Sequence, residues 1–162
     1  MFRHAKAQFA ASGMRDFDRP LEPRGLDDAR AMGATLSEQN LLPEKVICST
    51  GLRARQTWEA AQTKLPAVDT EWTDALYNAD AAGYLQLVHQ AQAASSLMLV
   101  GHNPMMEDLA LALAQPNDPK ADEMRRSGFP TAGLAILEFE GTLEGIETGK
   151  GRVVHFLKPQ GR

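Results

Sequence analysis

Two short apolar runs, each stopped by a polar cluster and followed by a helix pattern, constrain this chain more than any other feature. Leu97-Met98-Leu99-Val100 is followed at once by Gly101-His102-Asn103-Pro104, and Val46-Ile47-Cys48 by Ser49-Thr50-Gly51. Apolar runs this short, without polar alternation, read as strands buried on both faces. Pro just inside a helix with Asn before it marks a helix start at Asn103-Pro104. Met106, Leu109, Ala110 and Leu113 then lie on one stripe of a helix over Met105 to Ala114. Leu52 to Lys64 reads as the helix behind the other run, with Ser49 or Thr50 as its N-cap. Strands alternating with helices predict a parallel sheet covered on both faces. Loops that follow the strands of such a sheet gather at one edge, where ligands bind.

The remaining segments fit around that pattern. Met1-Phe2 is too short for more than the tail of a strand before Arg3-His4. Gln8 to Pro23, with Gly13, Pro20 and Pro23, reads as a loop. Leu26 to Gln39 reads as an amphipathic helix with Asp27 and Asp28 in its first turn. Trp72 to Leu76 is a candidate short strand, and Ala81 to Ala94 a helix. Gln115 to Pro130 reads as a mobile polar loop. Leu134-Ala135-Ile136-Leu137 and Val153-Val154-His155-Phe156-Leu157 read as strands joined hairpin-fashion through a Gly-rich connection. At 162 residues the expectation is a single domain, residues 1–162, with one core and a shortened first strand.

Composition narrows the function classes. The net charge of −4 offers no global basic field, so nucleic acid is not an expected partner and phosphate recognition requires a local arginine cluster. No apolar run approaches the roughly 20 residues of a membrane span, and the charged start is unlike a signal peptide. A single cysteine, Cys48, precludes an intrachain disulfide, and a cytoplasmic location is the default expectation. Cys48 itself reads as a small core residue.

Three polar clusters occupy equivalent places: His4 after the first strand, Arg53 after the Val46 strand, His102 after the Leu97 strand. Helix N-termini there favour anions, and an arginine adds a planar fork that fits two phosphate oxygens. The expected product is a pocket for one tetrahedral dianion lined by Arg3, Arg53 and His102, with His4 as nucleophile. A neutral imidazole can attack phosphorus and carry the phosphoryl group until water removes it, while arginines offset the equatorial charge. No metal or other cofactor is expected, because no two of His4, His89, His102 and His155 have zinc-binding spacing. Each residue has a plainer alternative: a surface histidine for His4, a solvated helix charge for Arg53 with Arg55 two residues on, a helix-end bond for His102. His89 and His155 read as structural. Asp74 and Tyr77 are acid candidates or ordinary loop residues.

Arg3-His4-Ala5-Lys6, Asp18-Arg19-Pro20-Leu21 with Arg24-Gly25, Ser49 to Thr57 and Gly101-His102-Asn103-Pro104 together resemble the motifs of the histidine phosphatase (phosphoglycerate mutase-like) superfamily. The small bacterial SixA-type branch is the most similar, extending through Phe129 to Gly133 and Leu157-Lys158-Pro159. The resemblance implies a three-layer α/β/α sandwich, its sheet mostly parallel with an antiparallel edge strand. It also implies a phosphohistidine intermediate on His4, with Arg3, Arg53 and His102 holding the phosphoryl group and Arg19 in the loop beside it. It supplies no carboxylic acid for the leaving group. A phosphoramidate nitrogen needs less such help, which is compatible with a phosphohistidine substrate. Larger relatives insert helices that close a lid over small substrates, and this chain has little spare length for one, so phosphohistidine in a protein is the expected substrate; the protein is expected to be a monomer. The alternatives are a small-molecule phosphomonoesterase and a phosphate-binding protein without turnover.

Overall fold

The computed structural model describes residues 1–160. The two apolar runs become neighbouring parallel strands of its six-stranded sheet. β2 (Lys45–Ser49) and β4 (Leu97–Gly101) lie side by side and parallel, with Lys45 opposite Leu97 and Cys48 opposite Val100. β3 (Asp69–Thr73) flanks β2 in parallel. On the far side of β4 stands β1 (Phe2–Arg3), parallel, with Phe2 opposite Val100 and Arg3 opposite Gly101. β5 (Leu134–Glu138) is antiparallel to β1, and β6 (Arg152–Leu157) is antiparallel to β5. The order is β3-β2-β4-β1-β5-β6. The sheet is mostly parallel, with its antiparallel pairing confined to the β5–β6 side.

Strand alternation divides the core into two layers. Val46, Cys48, Met98 and Val100 pack against Ala29, Met32 and Leu36 of α1 (Pro23–Glu38) and Ala54, Trp58 and Ala61 of α2 (Leu52–Gln62). Ile47 and Leu99 belong to the other core, with Tyr84 and Val88 of α4 (Ala81–Gln90) and Met106, Leu109 and Leu113 of α5 (Met105–Leu113). Each large side chain so buried contributes about 1.5–3 kcal/mol, which is why uninterrupted apolar strands require a helical layer on both faces. Helices α1 and α2 touch where a Cβ at Gly33 would sit 2.1 Å from the Ala61 carbonyl oxygen, so only glycine permits that approach.

Several boundaries differ from the sequence expectation, each for a local reason. α1 starts at Pro23, three residues early, because proline suits the first helical position. α2 is not capped by Ser49 or Thr50. Its N-cap is Gly51, and the two hydroxyls are engaged elsewhere, Ser49 with His102 and Thr50 with Asp74. The third strand is Asp69–Thr73 rather than 72–76, and Ala75–Asn78 forms the short helix α3. α4 ends at Gln90, not Ala94. α5 does begin after Pro104, but the Asn103 amide donates to Glu107 and to the Phe129 carbonyl instead of capping. The expected loop 115–130 contains α6 (Pro119–Ser127). Asp118 Oδ1 accepts from the Lys120 and Ala121 amides, and its Oδ2 accepts from the Val153 amide of β6. Only Ala121 and Met124 of α6 are buried, so it carries little apolar periodicity, although Asp118-Pro119 was a readable start signal.

β1 is short but firmly held. Phe2 is fully buried, the Met1 nitrogen donates to Ala135 O, and the Ala135 and Arg3 amides donate to Met1 O and Gly133 O. Its neighbours β4 and β5 run on beyond the residues paired with it. A cavity of about 740 Å³ opens there, lined by Met1, Leu97 to Leu99 and Ile136 to Glu138. That cavity lies at the opposite end of the sheet from the polar clusters. Among the described residues no helix is long and apolar enough to cross a membrane.

Candidate active site

His4 follows β1 and is fixed by its own backbone. Its amide donates to Gly101 O at 2.9 Å, and its carbonyl accepts from the Ala132 amide at 3.1 Å. The next peptide is pinned too. The Ala5 amide donates to Thr57 Oγ1 at 2.9 Å, and that hydroxyl donates to Arg53 O at 2.7 Å. The Ala5 carbonyl lies 2.8 Å from His4 Nδ1. A carbonyl only accepts, so the ring proton sits on Nδ1 and Nε2 carries the lone pair. Behind this segment, a Cβ on Gly25 would stand 2.3 Å from Lys6 O, so Arg24-Gly25 is where α1 approaches the His4 strand closely.

Arg53, in the first turn of α2, is 8% exposed. Its Nε donates to His4 Nε2 at 3.2 Å, its Nη1 to Asp16 O at 2.8 Å and its Nη2 to Asp16 Oδ2 at 3.0 Å. Asp16 also accepts from Arg19 Nη1 at 2.9 Å and from the Tyr77 hydroxyl at 2.8 Å. Arg55 faces the other way, paired with Glu59 and stacked over Trp72. Of the two arginines, α2 therefore delivers Arg53 to the cluster.

His102 follows β4 directly and is 8% exposed. Its amide donates to the Tyr84 hydroxyl at 3.3 Å, and its Nε2 lies 2.8 Å from Ser49 Oγ. Its ring is 5.2 Å from that of His4 and 5.4 Å from the edge-on ring of Tyr77. Arg3 reaches toward the β5 side, its Nη1 donating to Phe129 O at 2.6 Å.

Electrostatics keep both imidazoles neutral. Burial pushes His4 down to about 3. The Ala5 carbonyl opposes this, and His102, Arg53 and Arg3 push the same way as burial. Burial, then the Arg53 charge, pushes His102 down to about 4. The hydrogen bond from Arg19, with those from Tyr77 and Arg53, holds the Asp16 carboxyl well below the usual range. The result is two uncharged rings beside two guanidiniums, a place where a dianion is favoured and a nitrogen lone pair is free of a proton.

The sequence expected Arg3, His4, Arg53 and His102 around one anion-sized spot; the structure brings the side chains of His4, Arg53 and His102 together, with the Arg3 charge close enough to act on both rings. Arg19 stands one step back, bound to Asp16 and to Gln8 O at 2.8 Å. Of the acid candidates, Tyr77 stands at the cluster, whereas Asp74 accepts from Thr50. His89 meets the Ile146 carbonyl and His155 lies in β6. Cys48 is fully buried, and burial pushes its thiol pKa up. Sequence reading missed Asp16, Ser49 and Thr57 as site residues. No local pattern shows that Asp16 turns to Arg53 while Asp18 pairs with Arg15. Among the described residues no group of three or more His, Cys, Asp and Glu is placed to hold a metal.

Fold and cluster together define an α/β protein with two histidines and two arginines at the C-terminal tips of parallel strands. Comparison with known sequences gives the class its family: the sequence model of the histidine phosphatase superfamily (branch 1) matches residues 1–95, and the chain belongs to that superfamily. The uncharacterised protein Rv1276c of Mycobacterium tuberculosis is 33% identical over 161 residues, covering 98% of this chain and 99% of that one. Among solved structures, a SixA protein of Agrobacterium tumefaciens, named provisionally a phosphohistidine phosphatase, is 36% identical with a TM-score of 0.84, covering 97% of this chain and 94% of that one. A similarly named protein of Nakamurella multipartitia is 29% identical with a TM-score of 0.83, covering 98% and 93%.

Proposed function

We propose that this protein is a phosphatase that removes the phosphoryl group from phosphohistidine in a protein substrate through a covalent intermediate on His4. The observation that carries this is the His4 ring itself. Nδ1 is committed to the Ala5 carbonyl, so the unprotonated Nε2 faces the cluster beside Arg53. The Nε2 lone pair attacks phosphorus. A new N–P bond forms as the bond to the substrate nitrogen breaks, and that nitrogen takes up one proton from solvent. Water then attacks phosphorus, the His4 N–P bond breaks, the lone pair returns to Nε2, and orthophosphate leaves with release of one proton. Arg3, Arg53 and His102 hold the equatorial oxygens, and Arg19 acts through Asp16 on Arg53.

A protein substrate is supported by the wall of the site. Asp16 is 53% exposed, and Phe17 and Tyr77, in edge contact at 4.9 Å, are only partly buried beside it. A phosphorylated side chain on a protein surface can therefore approach. The names of the two SixA relatives point the same way. The test is to acid-quench the protein during turnover of phosphohistidine-bearing protein and of sugar phosphates. The expected result is acid-labile, base-stable phosphate on His4 with the former. Turnover of sugar phosphates alone selects the small-molecule reading. Turnover retained by His4→Ala refutes the nucleophile.

A further inference from the structure

Resting on the phosphatase reading, we propose that Ser49 is a positioning residue: it fixes His102 as the Nδ1–H tautomer, making Nδ1–H the ring's donor to the phosphoryl oxygen. The argument is an accounting of donors and acceptors in a buried place. Ser49 is fully buried and His102 nearly so. The Ser49 oxygen already accepts from the Gly51 amide at 3.2 Å and lies 2.8 Å from His102 Nε2. If Nε2 carried the proton, the Ser49 hydroxyl would accept twice and its own proton would be left to find another acceptor. If Ser49 donates to Nε2, the hydroxyl is satisfied as donor and acceptor at once. The ring proton of His102 is then on Nδ1.

Nδ1 has no protein hydrogen-bond partner and is buried. A buried N–H without a partner costs about 1–3 kcal/mol, a cost that an arriving phosphoryl oxygen would relieve. Around His102 stand His4, Tyr77 and Tyr84; burial and the Arg53 and Arg3 charges favour the neutral ring, and they outweigh the opposing charge of Asp16, which is itself bound by two arginines and Tyr77. His102 is therefore neutral and can donate from one nitrogen only, so the tautomer decides whether it contributes. The two histidines take complementary roles from the same proton placement. His4 offers a lone pair because Ala5 O accepts its Nδ1–H, and His102 offers an N–H because Ser49 fills its Nε2.

The test is ¹⁵N NMR of the ring nitrogens in the full chain at neutral pH. Expected are an unprotonated Nε2 and a protonated Nδ1 for His102, with the Nδ1–H signal moving when inorganic phosphate is added. A protonated Nε2, or an Nδ1 signal indifferent to phosphate, overturns the proposal. Ser49→Ala, which removes only the hydroxyl, should shift the ring toward the Nε2–H form and lower kcat/KM about tenfold, the size of one lost neutral hydrogen bond. Lower activity with an unmoved tautomer also overturns it. The spectra require no turnover, so failure of the phosphatase reading would appear separately, as the expected tautomer in a protein that hydrolyses nothing.

Discussion

Replacing Arg53 separates its chemical role from its structural one. Arg53 donates in three directions, to His4 Nε2, Asp16 O and Asp16 Oδ2. A lysine keeps one charge but cannot present that fork. Losing one preorganised donor at developing charge costs about 2.7–4 kcal/mol, or 10²–10³ in kcat. Arg53→Lys should therefore sit near the lower figure and Arg53→Ala near the upper. The stability cost should be small by comparison. Asp16, the partner left behind, is 53% exposed and keeps its bonds to Arg19 and Tyr77. Arg53 is buried but its partner carboxylate faces solvent, so the loss is about 1–2 kcal/mol, between an exposed pair and a buried charged hydrogen bond, which corresponds to about 2–8 °C in Tm for a chain of this size. The assay is kcat for phosphohistidine hydrolysis with thermal unfolding in parallel, and the phosphoenzyme level from acid quench. Retention of kcat within about fivefold in both variants would refute the reasoning. So would an activity loss fully matched by unfolding.

Three further outcomes are expected. Gly25→Ala places a Cβ 2.3 Å from Lys6 O and 3.1 Å from Lys6 N; overpacking against backbone costs about 1–3 kcal/mol, and because Lys6 N belongs to the peptide that carries Ala5 O, denaturant unfolding and turnover should worsen together. His102 has a folded pKa of about 4 against its ordinary value of 6.5, so the unfolded chain binds more protons in that window and stability should fall as pH drops from 6.5 toward 4. His102→Asn should flatten this slope in urea unfolding measured across pH, and an unchanged slope would sink the assignment. Asp118→Ala removes an acceptor shared by the Lys120, Ala121 and Val153 amides; a stability loss of about 1–3 kcal/mol is expected in the same unfolding measurement, with kcat per folded molecule unchanged.

The apolar runs 46–48 and 97–100 pointed to a parallel sheet covered on both faces, because strands buried on both faces need a layer of helices on each; that β5 and β6 form an antiparallel edge of that sheet was expected only from the family resemblance. The two runs also placed Arg53 and His102 at strand tips, and Arg3-His4 joined them through the next strand. Local sequence could not decide matters that depend on partners distant in the chain. Ser49 and Thr50 looked like caps, yet His102 and Asp74 claimed their hydroxyls. α6 was missed because its stability comes from Asp118 reaching β6 and Met124 packing in the core rather than from a long apolar stripe. Asp16 and Arg55 show the same limit within the site: which aspartate turns inward and which arginine faces Trp72 is set by the packing of the 16–18 turn, α2 and β3. The protonation of each histidine is likewise a tertiary property. It rests on one backbone carbonyl for His4 and one hydroxyl for His102, and both are brought within hydrogen-bond reach only by the completed sheet.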